Sequence, residues 1–465
     1  MTYSRGFQRV SRLFPNLSKV SANLPEAFKK SAKSRSLKHL LKTASLEEGF
    51  AAPGTWSLLP LLQRSMDKLI DLVEEEMARI GAQKLSVPLL ASKSLWDRSG
   101  RWEEMSDVLF QFPTRRKEEK LCLQPTCEES FTELVARSAV ANAQLPLLLY
   151  QIGSKFRDEV RPRMGLMRAR EFLMKDLYSF DESEEEAMRT YESVIGAYER
   201  IFRERLGLTE VMRVKSEPGP MGEGVNHEFH LEQPGQDRVF FCARCDLGAS
   251  AEYVATGRSQ LFGLPAETDL KSADVSARCP ECSQTMSSHI SAEIAHTFVL
   301  GTKYTTVFYA HSASGQPLHQ CCFGIGLSRL LDSAVTQCST DDQLGWPLEI
   351  APYKLAILVP KRGSVEDRRC GAFVEDTIET LASLPNLVGE ILVDDRPITV
   401  GKRLVGIKSI GVPRVVVAAK SAAVEPTSSP MFEIMDRTQR PTDSSAADKV
   451  QLLSHAELLG YCRSL

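Results

Sequence analysis

An apolar run followed directly by a dense group of arginines is the feature that most limits the folds open to this chain. Leu145 to Phe156 is strongly apolar and predicts a buried strand. The next fourteen residues contain five arginines: Arg157, Arg161, Arg163, Arg168 and Arg170. An arginine keeps its charge even when it is buried, so some of these groups must face a polyanion or water. The sequence therefore predicts either an anion site at a strand end or a solvated, charged hairpin.

The residues around these arginines favour a nucleotide as the anion. A planar guanidinium matches phosphate oxygens, so Arg157 at the end of a strand suits a phosphate clamp. Glu159 can accept a hydrogen bond from the exocyclic amine of adenine, and Phe172 offers an apolar face to the base. We interpret the segment from Phe156 to Asp181 as part of an ATP site.

A second element that suits a ligand lies at Gly324 to Arg329. Its glycines let a strand end approach a ligand closely, and Arg329 then falls on the first turn of a helix. The pattern lacks the third glycine of a dinucleotide fingerprint, and the chain has no Gly-Lys-Ser or Gly-Lys-Thr of a P-loop. A Gly-x-Gly turn alone is weak support for a ligand site, so this interpretation depends on the arginine-rich segment described above.

Length and composition bound the class of protein. A chain of 465 residues is longer than one core usually supports, so two or three domains are expected. The formal charge of −3, from 57 basic and 60 acidic residues, neither proposes nor excludes nucleic acid as a partner. Eleven scattered cysteines fit a reducing compartment better than a disulfide framework. No run of about eighteen apolar residues occurs, so no membrane span is expected.

The first 46 residues differ in composition from the rest of the chain. They hold ten lysines or arginines against one acid, Glu26, and they are rich in serine. A basic, serine-rich and acid-poor leader is typical of an organelle import peptide. The alternative is a disordered basic tail that contacts RNA.

Periodicity divides the remaining chain into two parts. The first part predicts a helix over Leu62–Ile80 that ends at Gly81, a strand over Lys84–Leu90, a helix over Glu128–Arg137, a helix from Asp181 towards Arg205, and short strands and loops over residues 210–295. A connection at Gly345–Pro352 leads to a small α/β domain. Its predicted strands are Leu355–Val359, Glu390–Val393 and Val415–Ala418.

Together these elements resemble the class II aminoacyl-tRNA synthetases. The helix ending at Gly81 with the next strand is similar to motif 1 of the class, Phe156 to Asp176 to motif 2, and Gly324 to Arg329 to motif 3. Within the class the resemblance is to the prolyl-tRNA synthetases of the bacterial and organellar type, over about residues 50 to 420. The supporting runs are Ser99-Gly100-Arg101-Trp102, Pro125-Thr126-Cys127-Glu128-Glu129, Arg161-Pro162-Arg163-Met164-Gly165-Leu166-Met167-Arg168, Met174-Lys175-Asp176-Leu177-Tyr178-Ser179-Phe180 and Leu300-Gly301-Thr302-Lys303-Tyr304.

The resemblance implies an α+β fold in three parts. Residues 1–46 would be a mitochondrial import peptide, 47–350 a catalytic domain with an antiparallel β-sheet flanked by helices, and 351–465 a small α/β anticodon-binding domain. The implied activity is ligation of L-proline to tRNA(Pro) with ATP and Mg²⁺, by a homodimer in the mitochondrial matrix. Too few residues separate motifs 2 and 3 for the editing domain of many bacterial relatives, so removal of mischarged alanine in cis is not expected.

The resemblance also implies roles for matching residues. Arg157 and Arg329 would be the catalytic cations at the α- and γ-phosphates of a bent ATP, with Glu159 and Phe172 at the adenine. Arg161 resembles the residue that meets the acceptor end of tRNA.

The expected proline pocket draws on three separate parts of the sequence. Thr126 and Glu128 match the family's Thr-x-Glu, which reads the proline amine. His227 and Cys322 fall where the family lines the same pocket. A secondary ammonium needs a carboxylate, and the proline ring needs an apolar wall.

Two pairs of cysteines are spaced as zinc ligands often are. Cys242 and Cys245 form one Cys-x-x-Cys pair, and Cys279 and Cys282 form the other. Thiolates on two short turns can enclose Zn²⁺ and hold a loop-rich region together. The alternative is four free thiols in a reducing compartment.

Other functions remain to be weighed against this one. A synthetase-derived nucleic-acid-binding accessory protein would be free to lose the ATP arginines, yet Arg157, Glu159 and Arg329 are present. A threonine or serine synthetase would need pocket metal ligands or a long coiled arm, which the sequence does not show. In the C-terminal domain, Gly406 and Lys408 stand at two positions that are commonly acidic in the family, which leaves the anticodon contacts open.

Overall fold

The computed structural model describes residues 6–10, 46–48, 52–116, 118–138, 140–217, 224–270, 275–340, 343–418, 430–438 and 450–465. The chain divides into two compact units. One comprises residues 48–56 and 69–333, and the other comprises residues 1–47, 57–68 and 334–465. Within the described ranges, no helix is long and apolar enough to cross a membrane.

An eight-stranded, mostly antiparallel sheet organises the first unit. Its order is β10-β12-β11-β13-β14-β9-β8-β4, with strands β4 (Gln83–Lys84), β8 (Leu147–Phe156), β9 (Glu171–Asp181), β10 (Met212–Lys215), β11 (Asn226–Cys242), β12 (Leu247–Ser250), β13 (Ser287–Gly301) and β14 (His319–Gly326). A three-stranded sheet, β5 (Leu90–Ser92), β7 (Lys120–Leu123) and β6 (Phe110–Pro113), and a pair, β2 (Leu46–Glu48) and β3 (Trp56–Leu58), accompany it. The sheet combines with helices as the predicted α+β class requires.

The helices of the earlier part of the chain begin and end where local signals place them. They are α1 (Pro60–Arg79), α2 (Lys93–Ser99), α3 (Arg101–Glu104), α4 (Glu128–Arg137), α5 (Glu184–Glu199), α6 (Ala251–Ala255), α7 (Lys303–Phe308) and α8 (Leu327–Cys338). The hydroxyl of Ser183 caps α5 by accepting from the Glu186 backbone N–H, and three glutamates occupy its first turn. A π-helical segment, Arg200–Arg205, continues α5, so the predicted helix towards Arg205 changes type at Glu199.

Two predictions for this unit were wrong. Lys84–Leu90 is not one strand, because β4 ends at Lys84 and β5 begins at Leu90, with Pro88 between them. Residues 210–295 do not hold only short strands, because β11 has 17 residues and β13 enters the region with 15. The register of this pair shifts between Phe229 and His230, and again between Glu232 and Asp237. Such shifts break the alternation by which a long strand is recognised.

The second unit is a six-stranded α/β layer. Its sheet order is β1-β16-β15-β17-β18-β19, with β1 (Phe7–Arg9), β15 (Leu355–Leu358), β16 (Ile391–Asp394), β17 (Arg414–Val417), β18 (Met431–Asp436) and β19 (Val450–Ser454). The helices are α9 (Val365–Ala382), α10 (Val400–Ser409) and α11 (His455–Arg463). Every residue of β15 and β16 is buried, as expected for parallel strands covered on both faces. The three strands predicted for this domain are confirmed within one or two residues at each end.

The edge of this second sheet is formed by a strand from the start of the chain. Strand β1 runs parallel to β16, with Phe7 opposite Ile391 and Arg9 opposite Val393. Phe7 and Val10 are buried in the two cores of the unit, one on each side of the sheet. Arg9 pairs with Glu375 at 2.6 Å. The rest of the predicted import peptide, residues 1–5 and 11–45, lies outside the described residues, so that assignment stays a prediction.

Truncation of Phe7 should loosen this edge of the sheet. We expect Phe7→Ala to cost roughly 2–4 kcal/mol of local stability, because a buried aromatic ring is lost. Deuterium uptake by peptides that contain Ile391–Asp394 should rise in the variant. Gln8→Ala is the matched control, since Gln8 is exposed and gives up only the hydrogen bond from Tyr353 Oη at 2.6 Å. Equal uptake in Phe7→Ala and the parent protein would contradict the assignment of β1.

Candidate active site

One face of the large sheet carries a row of side chains along β9, those of Met174, Asp176 and Tyr178. Directly opposed residues of antiparallel strands share a face, and the register sets Met174 opposite Gly326 and Tyr178 opposite Cys322. At the Met174 end of the row lies a cavity that is open to solvent at its mouth. Its lining includes Arg157, Glu159, Phe172, Glu293, His296 and Arg329. The structure thus brings the four predicted ATP residues into one cavity.

Arg157 lies at the floor of this cavity. Its guanidinium carbon is 5.3 Å from the centroid of the Phe172 ring, an arrangement typical of a cation–π contact. The Nε atom is shielded from solvent and has no hydrogen-bond partner, and within the described chain no carboxylate pairs with Arg157 within 4 Å. Burial lowers the pKa of Arg157, and the nearby charge of Arg329 lowers it further. A cation held in this way favours an anionic ligand.

Arg329 enters the cavity from the first turn of α8 and is held by backbone and side-chain oxygens. Its Nε donates to the carbonyl of Met167 at 3.1 Å, and its Nη1 donates to the carbonyl of Glu293 at 2.7 Å. The Glu293 carboxylate lies 3.3 Å from the same Nη1 and accepts from His296 Nδ1 at 3.1 Å. These partners hold the pKa of Glu293 well below its usual range despite its burial.

A glycine makes room for the ring of His296. A Cβ atom at Gly324 would lie 2.5 Å from Cε1 of that ring, which is closer than atoms can approach. The ring instead stacks on Phe298, with centroids 4.7 Å apart and planes 17° apart. The first glycine of the Gly-x-Gly pair is therefore required by close packing of a cavity side chain.

The loop between β8 and β9 divides its charged residues between the cavity and solvent. The Glu159 carboxylate accepts from Arg168 Nε at 2.6 Å, so the predicted adenine contact is tied to a second arginine. Arg170 Nε donates to the carbonyl of Glu159 at 3.1 Å. Arg161 is exposed. The alternative of a wholly solvated hairpin is excluded for Arg157, whereas Arg161 is placed where an outside partner can reach it.

A buried carboxylate marks the other end of the row. Oγ1 of Thr126 lies 2.8 and 2.7 Å from the two carboxylate oxygens of Glu128, and 3.3 Å from Oη of Tyr178. Cys322, opposite Tyr178 in the sheet, is buried, and the pKa of its thiol is raised by burial and by the charge of Glu128. Thr126, Glu128 and Cys322 therefore lie together, as the sequence predicted.

His227 does not join this group. It lies opposite Thr297 in the register, and its Nδ1 is 2.9 Å from Oη of Tyr191, a residue of α5 on the other face of the sheet. Burial lowers the pKa of His227 to about 4, so the ring is neutral at physiological pH. The next residue, Glu228, lies opposite His296 and accepts from His230 Nε2 at 2.8 Å. Glu228 therefore shares the face of His296, which lines the cavity.

Several residues that the structure places at the site were not predicted from the sequence. The sequence indicated Tyr178 only as part of a longer run. It assigned no role to Glu293 or His296. The two-residue alternation of Met174, Asp176 and Tyr178 along β9 was the available signal, because it places these side chains on one face. Glu293 had no comparable signal, since its importance comes from Arg329, which lies 36 residues later.

The four predicted zinc ligands converge at the end of the β11–β13 pair. The sulfur atoms of Cys242, Cys245, Cys279 and Cys282 all lie within 4.8 Å of one another, and Cys242 Sγ is 3.7 Å from Cys282 Sγ. Sulfur atoms around a tetrahedral Zn²⁺ lie about 3.8 Å apart, given zinc–sulfur bonds of about 2.3 Å. Four thiol donors at such distances fit a zinc ion well.

Comparison with known proteins agrees with this geometry. A family model described as "tRNA synthetase class II core domain (G, H, P, S and T)" matches residues 110–337. A Rattus norvegicus protein named "Probable proline--tRNA ligase, mitochondrial" is 40% identical over 389 residues, covering 81% of this chain and 76% of its own. A Sulfurimonas denitrificans protein named "Proline--tRNA ligase" is 32% identical over 411 residues, covering 86% and 91%.

Solved structures show the same fold. Giardia lamblia prolyl-tRNA synthetase in complex with prolyl-adenylate aligns with a TM-score of 0.70 at 16% identity, covering 92% of this chain and 77% of that one. The identity to the rat and bacterial proteins over about four fifths of the chain reaches well beyond a shared fold. This chain belongs to the proline–tRNA ligase family of class II aminoacyl-tRNA synthetases.

Proposed function

We propose that this protein activates L-proline with ATP and transfers the resulting prolyl group to the 3′ end of tRNA(Pro). The observation that carries the proposal is the row on the sheet, with the unpaired cation of Arg157 at one end and the buried carboxylate of Glu128 at the other. This arrangement suits two substrates bound side by side, a polyphosphate near Arg157 and an amino acid whose ammonium binds Glu128.

At the cavity end, the chain supplies positive charge where charge develops on pyrophosphate. Arg157 binds the α-phosphate and Arg329 the γ-phosphate, while Phe172 and Glu159 contact the adenine. Class II synthetases use ATP with Mg²⁺, which neutralises phosphate charge, and the Glu293 carboxylate offers the oxygen ligands that this ion prefers. The proline carboxylate attacks the α-phosphorus in line, so the arginines act by positioning and electrostatic stabilisation.

At the other end, Glu128 receives the secondary ammonium of proline. Thr126 orients the carboxylate through its hydroxyl, and Cys322 with Tyr178 forms part of the wall beside it. We leave His227 out of this pocket because its side chain lies on the opposite face. A pocket of this kind rejects alanine only through lost apolar contact, so discrimination against it is modest.

Two regions would meet the tRNA. Arg161, exposed in the loop between β8 and β9, would contact the acceptor end. The second unit would bind the anticodon. There a Cβ at Gly406 would lie 2.7 Å from Nη2 of Arg396, so the guanidinium occupies the place of a side chain and pairs with Asp394 at 2.6 Å. Arg396 therefore fills the space that an acidic side chain at position 406 would need.

We assign the protein to mitochondria, because relatives of rat, mouse and human origin carry that word in their names. Action in the matrix, import through residues 1–46 and assembly as a homodimer belong to the same proposal. Because β1 lies within residues 1–46, cleavage of the whole proposed import peptide would remove a strand of the second sheet. Processing that spares residues 6–10 would leave the sheet of the second unit complete.

Exchange of labelled pyrophosphate into ATP across a panel of amino acids tests the proposal. We expect exchange with proline, weak exchange with alanine, and none with threonine or serine. Charging of tRNA(Pro) with labelled proline should follow. Exchange dependent on another amino acid would overturn the substrate, and no exchange at all would favour the accessory protein that lost its chemistry.

We also propose that Cys242, Cys245, Cys279 and Cys282 bind one structural zinc ion. The cysteines close a small core of their own, which includes Phe240, Phe262 and Met286. This core is remote in sequence from motifs 2 and 3, so zinc would stabilise it without taking part in the chemistry.

Removal of zinc should lower the melting temperature of the full-length protein. Metal analysis of the purified protein is expected to give about one zinc per chain, and Cys279→Ser should lose it because only three thiolates remain. Cys370→Ser is the control, since that thiol lies in the second unit and contacts the carbonyl of Glu366. Retention of zinc by Cys279→Ser, or its absence from the parent protein, would refute the site.

A further inference from the structure

The guanidinium of Arg101 lies buried directly behind Glu128. Its Nη1 donates to Oε2 of Glu128 at 2.9 Å, and lies 3.1 and 3.2 Å from the two carboxylate oxygens of Glu129. The side chains of all three residues are at most 1% exposed. The Trp96 and Tyr304 rings flank the guanidinium, with centroids 5.0 and 5.7 Å from its central carbon.

The cluster holds two carboxylates and one guanidinium in a place without solvent. Burial raises the pKa of Glu129, although the charge of Arg101 lowers it. Glu129 has both oxygens occupied, because Ser99 Oγ donates to Oε1 at 2.7 Å beside the contacts from Arg101. Among the described residues, Glu128 accepts from Thr126 and Arg101, and a carboxylate has about four acceptor sites. Glu128 therefore has acceptor capacity left for a ligand.

Other titratable groups near Glu128 leave Arg101 as its partner cation. Lys155 and Asp176 are paired with each other at 2.8 Å. Burial raises the pKa of Tyr178, Tyr304 and Cys322, so these groups are neutral at physiological pH. Among the ion pairs that the described residues form, Glu128 has Arg101 as its cation.

We propose that Arg101 is a positioning residue for the amino-acid substrate. It holds the Glu128 carboxylate in one orientation, and because it contacts Glu129 as well, it leaves Glu128 with acceptor capacity for the proline ammonium. This inference rests on the proposed function, in which Glu128 binds that ammonium. Arg101 itself touches no substrate, because Glu128 stands between them. Without it, the two buried carboxylates would lose the cation that both contact, and the orientation of Glu128 towards the ammonium would no longer be fixed.

Steady-state pyrophosphate exchange with Arg101→Met and Arg101→Lys tests the inference. We expect Arg101→Met to raise the KM for proline about 100-fold while the KM for ATP stays unchanged. The acidic limb of kcat/KM for proline should move to higher pH, because the variant lacks the Arg101 charge that lowers the pKa of the buried Glu129 beside Glu128. Arg101→Lys keeps the charge and should recover part of the loss in proline KM and most of the pH profile.

Arg98→Met is the matched control. Like Arg101, Arg98 links a preceding helix to α4, in its case α2 through Glu133 at 2.6 Å, and its guanidinium lies over an aromatic ring, that of Phe308 at 4.1 Å. It does not contact Glu128, so its loss should leave the KM for proline and the pH profile unchanged. Equal effects of Arg98→Met and Arg101→Met would show a merely structural role and overturn the inference.

Failure of the inference is separable from failure of the proposed function. If the parent protein shows no proline-dependent exchange, the function is refuted. If the parent is active and Glu128→Gln is inactive, but Arg101→Met has an unchanged KM for proline, Arg101 is not a positioning residue. If Arg101→Met loses its cooperative melting transition, Arg101→Lys decides by the same two readouts.

Discussion

Replacement of Arg157 by alanine is expected to reduce proline-dependent pyrophosphate exchange by about 10³-fold or more. Arg157 is a cation that lines the cavity and has no carboxylate within 4 Å among the described residues, so its guanidinium is free to bind phosphate. Losses of this size are typical when a preorganised cation is taken from a phosphoryl or nucleotidyl transfer site. The measurement is exchange at saturating proline and ATP, with the melting temperature checked in parallel.

Arg161→Ala is the control for this experiment. Arg161 belongs to the same loop but is exposed, so its loss should leave exchange intact and slow only the transfer of proline to tRNA. Near-normal exchange in Arg157→Ala would remove the basis for the ATP site. Loss of exchange in both variants would indicate damage to the loop as a whole.

Glu128→Gln is expected to lower kcat/KM for proline by about 10²- to 10³-fold. The change preserves the shape of the side chain and its contact with Thr126, but it removes the charge that receives the ammonium. Arg101 and Glu129 then balance each other, so the buried cluster keeps its structure. Initial rates over a range of proline concentrations, at saturating ATP, give the value directly.

Glu133→Gln provides the comparison on the same helix. Glu133 accepts from Arg98 and Arg137 near the surface of α4 and has no contact with Glu128, so proline kinetics should not change. A Glu128→Gln protein that saturates with proline as the parent does would show that another group binds the ammonium. Such a result would also end the role inferred for Arg101.

Local periodicity predicted those elements whose pattern is uninterrupted. Helix α4 and strand β8 lie where apolar spacing and strand propensity placed them, and β15, β16 and β17 read as short aliphatic runs because both faces are buried. The β11–β13 pair could not be recognised, because its bulges shift the alternation within each strand. Pattern fails where the backbone departs from regular pairing.

The residues of the candidate site could be predicted from the sequence only in part. Residue types predicted a nucleotide site for Arg157, Glu159 and Phe172, the resemblance to class II synthetases added Arg329, and the structure places all four in one cavity. His227 was assigned to the wrong face, because a shift of one residue along a strand exchanges the two faces and the sequence does not reveal the partner strand. The sequence indicated Arg101 only as part of the run Ser99–Trp102. Its hydrogen bond to Glu128 could not be predicted, because it depends on how α3 packs near the start of α4.

The pairing of β1 with β16 joins residue 7 to residue 391 and has a consequence for how the chain can be divided. In the part of the chain that the structure describes, β1 is the strand that covers this edge of β16, so the backbone groups that it pairs are exposed until residues 7–9 meet residues 391–393. An uncovered strand edge is a template for intermolecular pairing. A fragment that begins at residue 334 should therefore aggregate more readily than the same fragment preceded by residues 1–10 through a flexible linker. During synthesis the first segment must remain available until nearly the whole chain has been made.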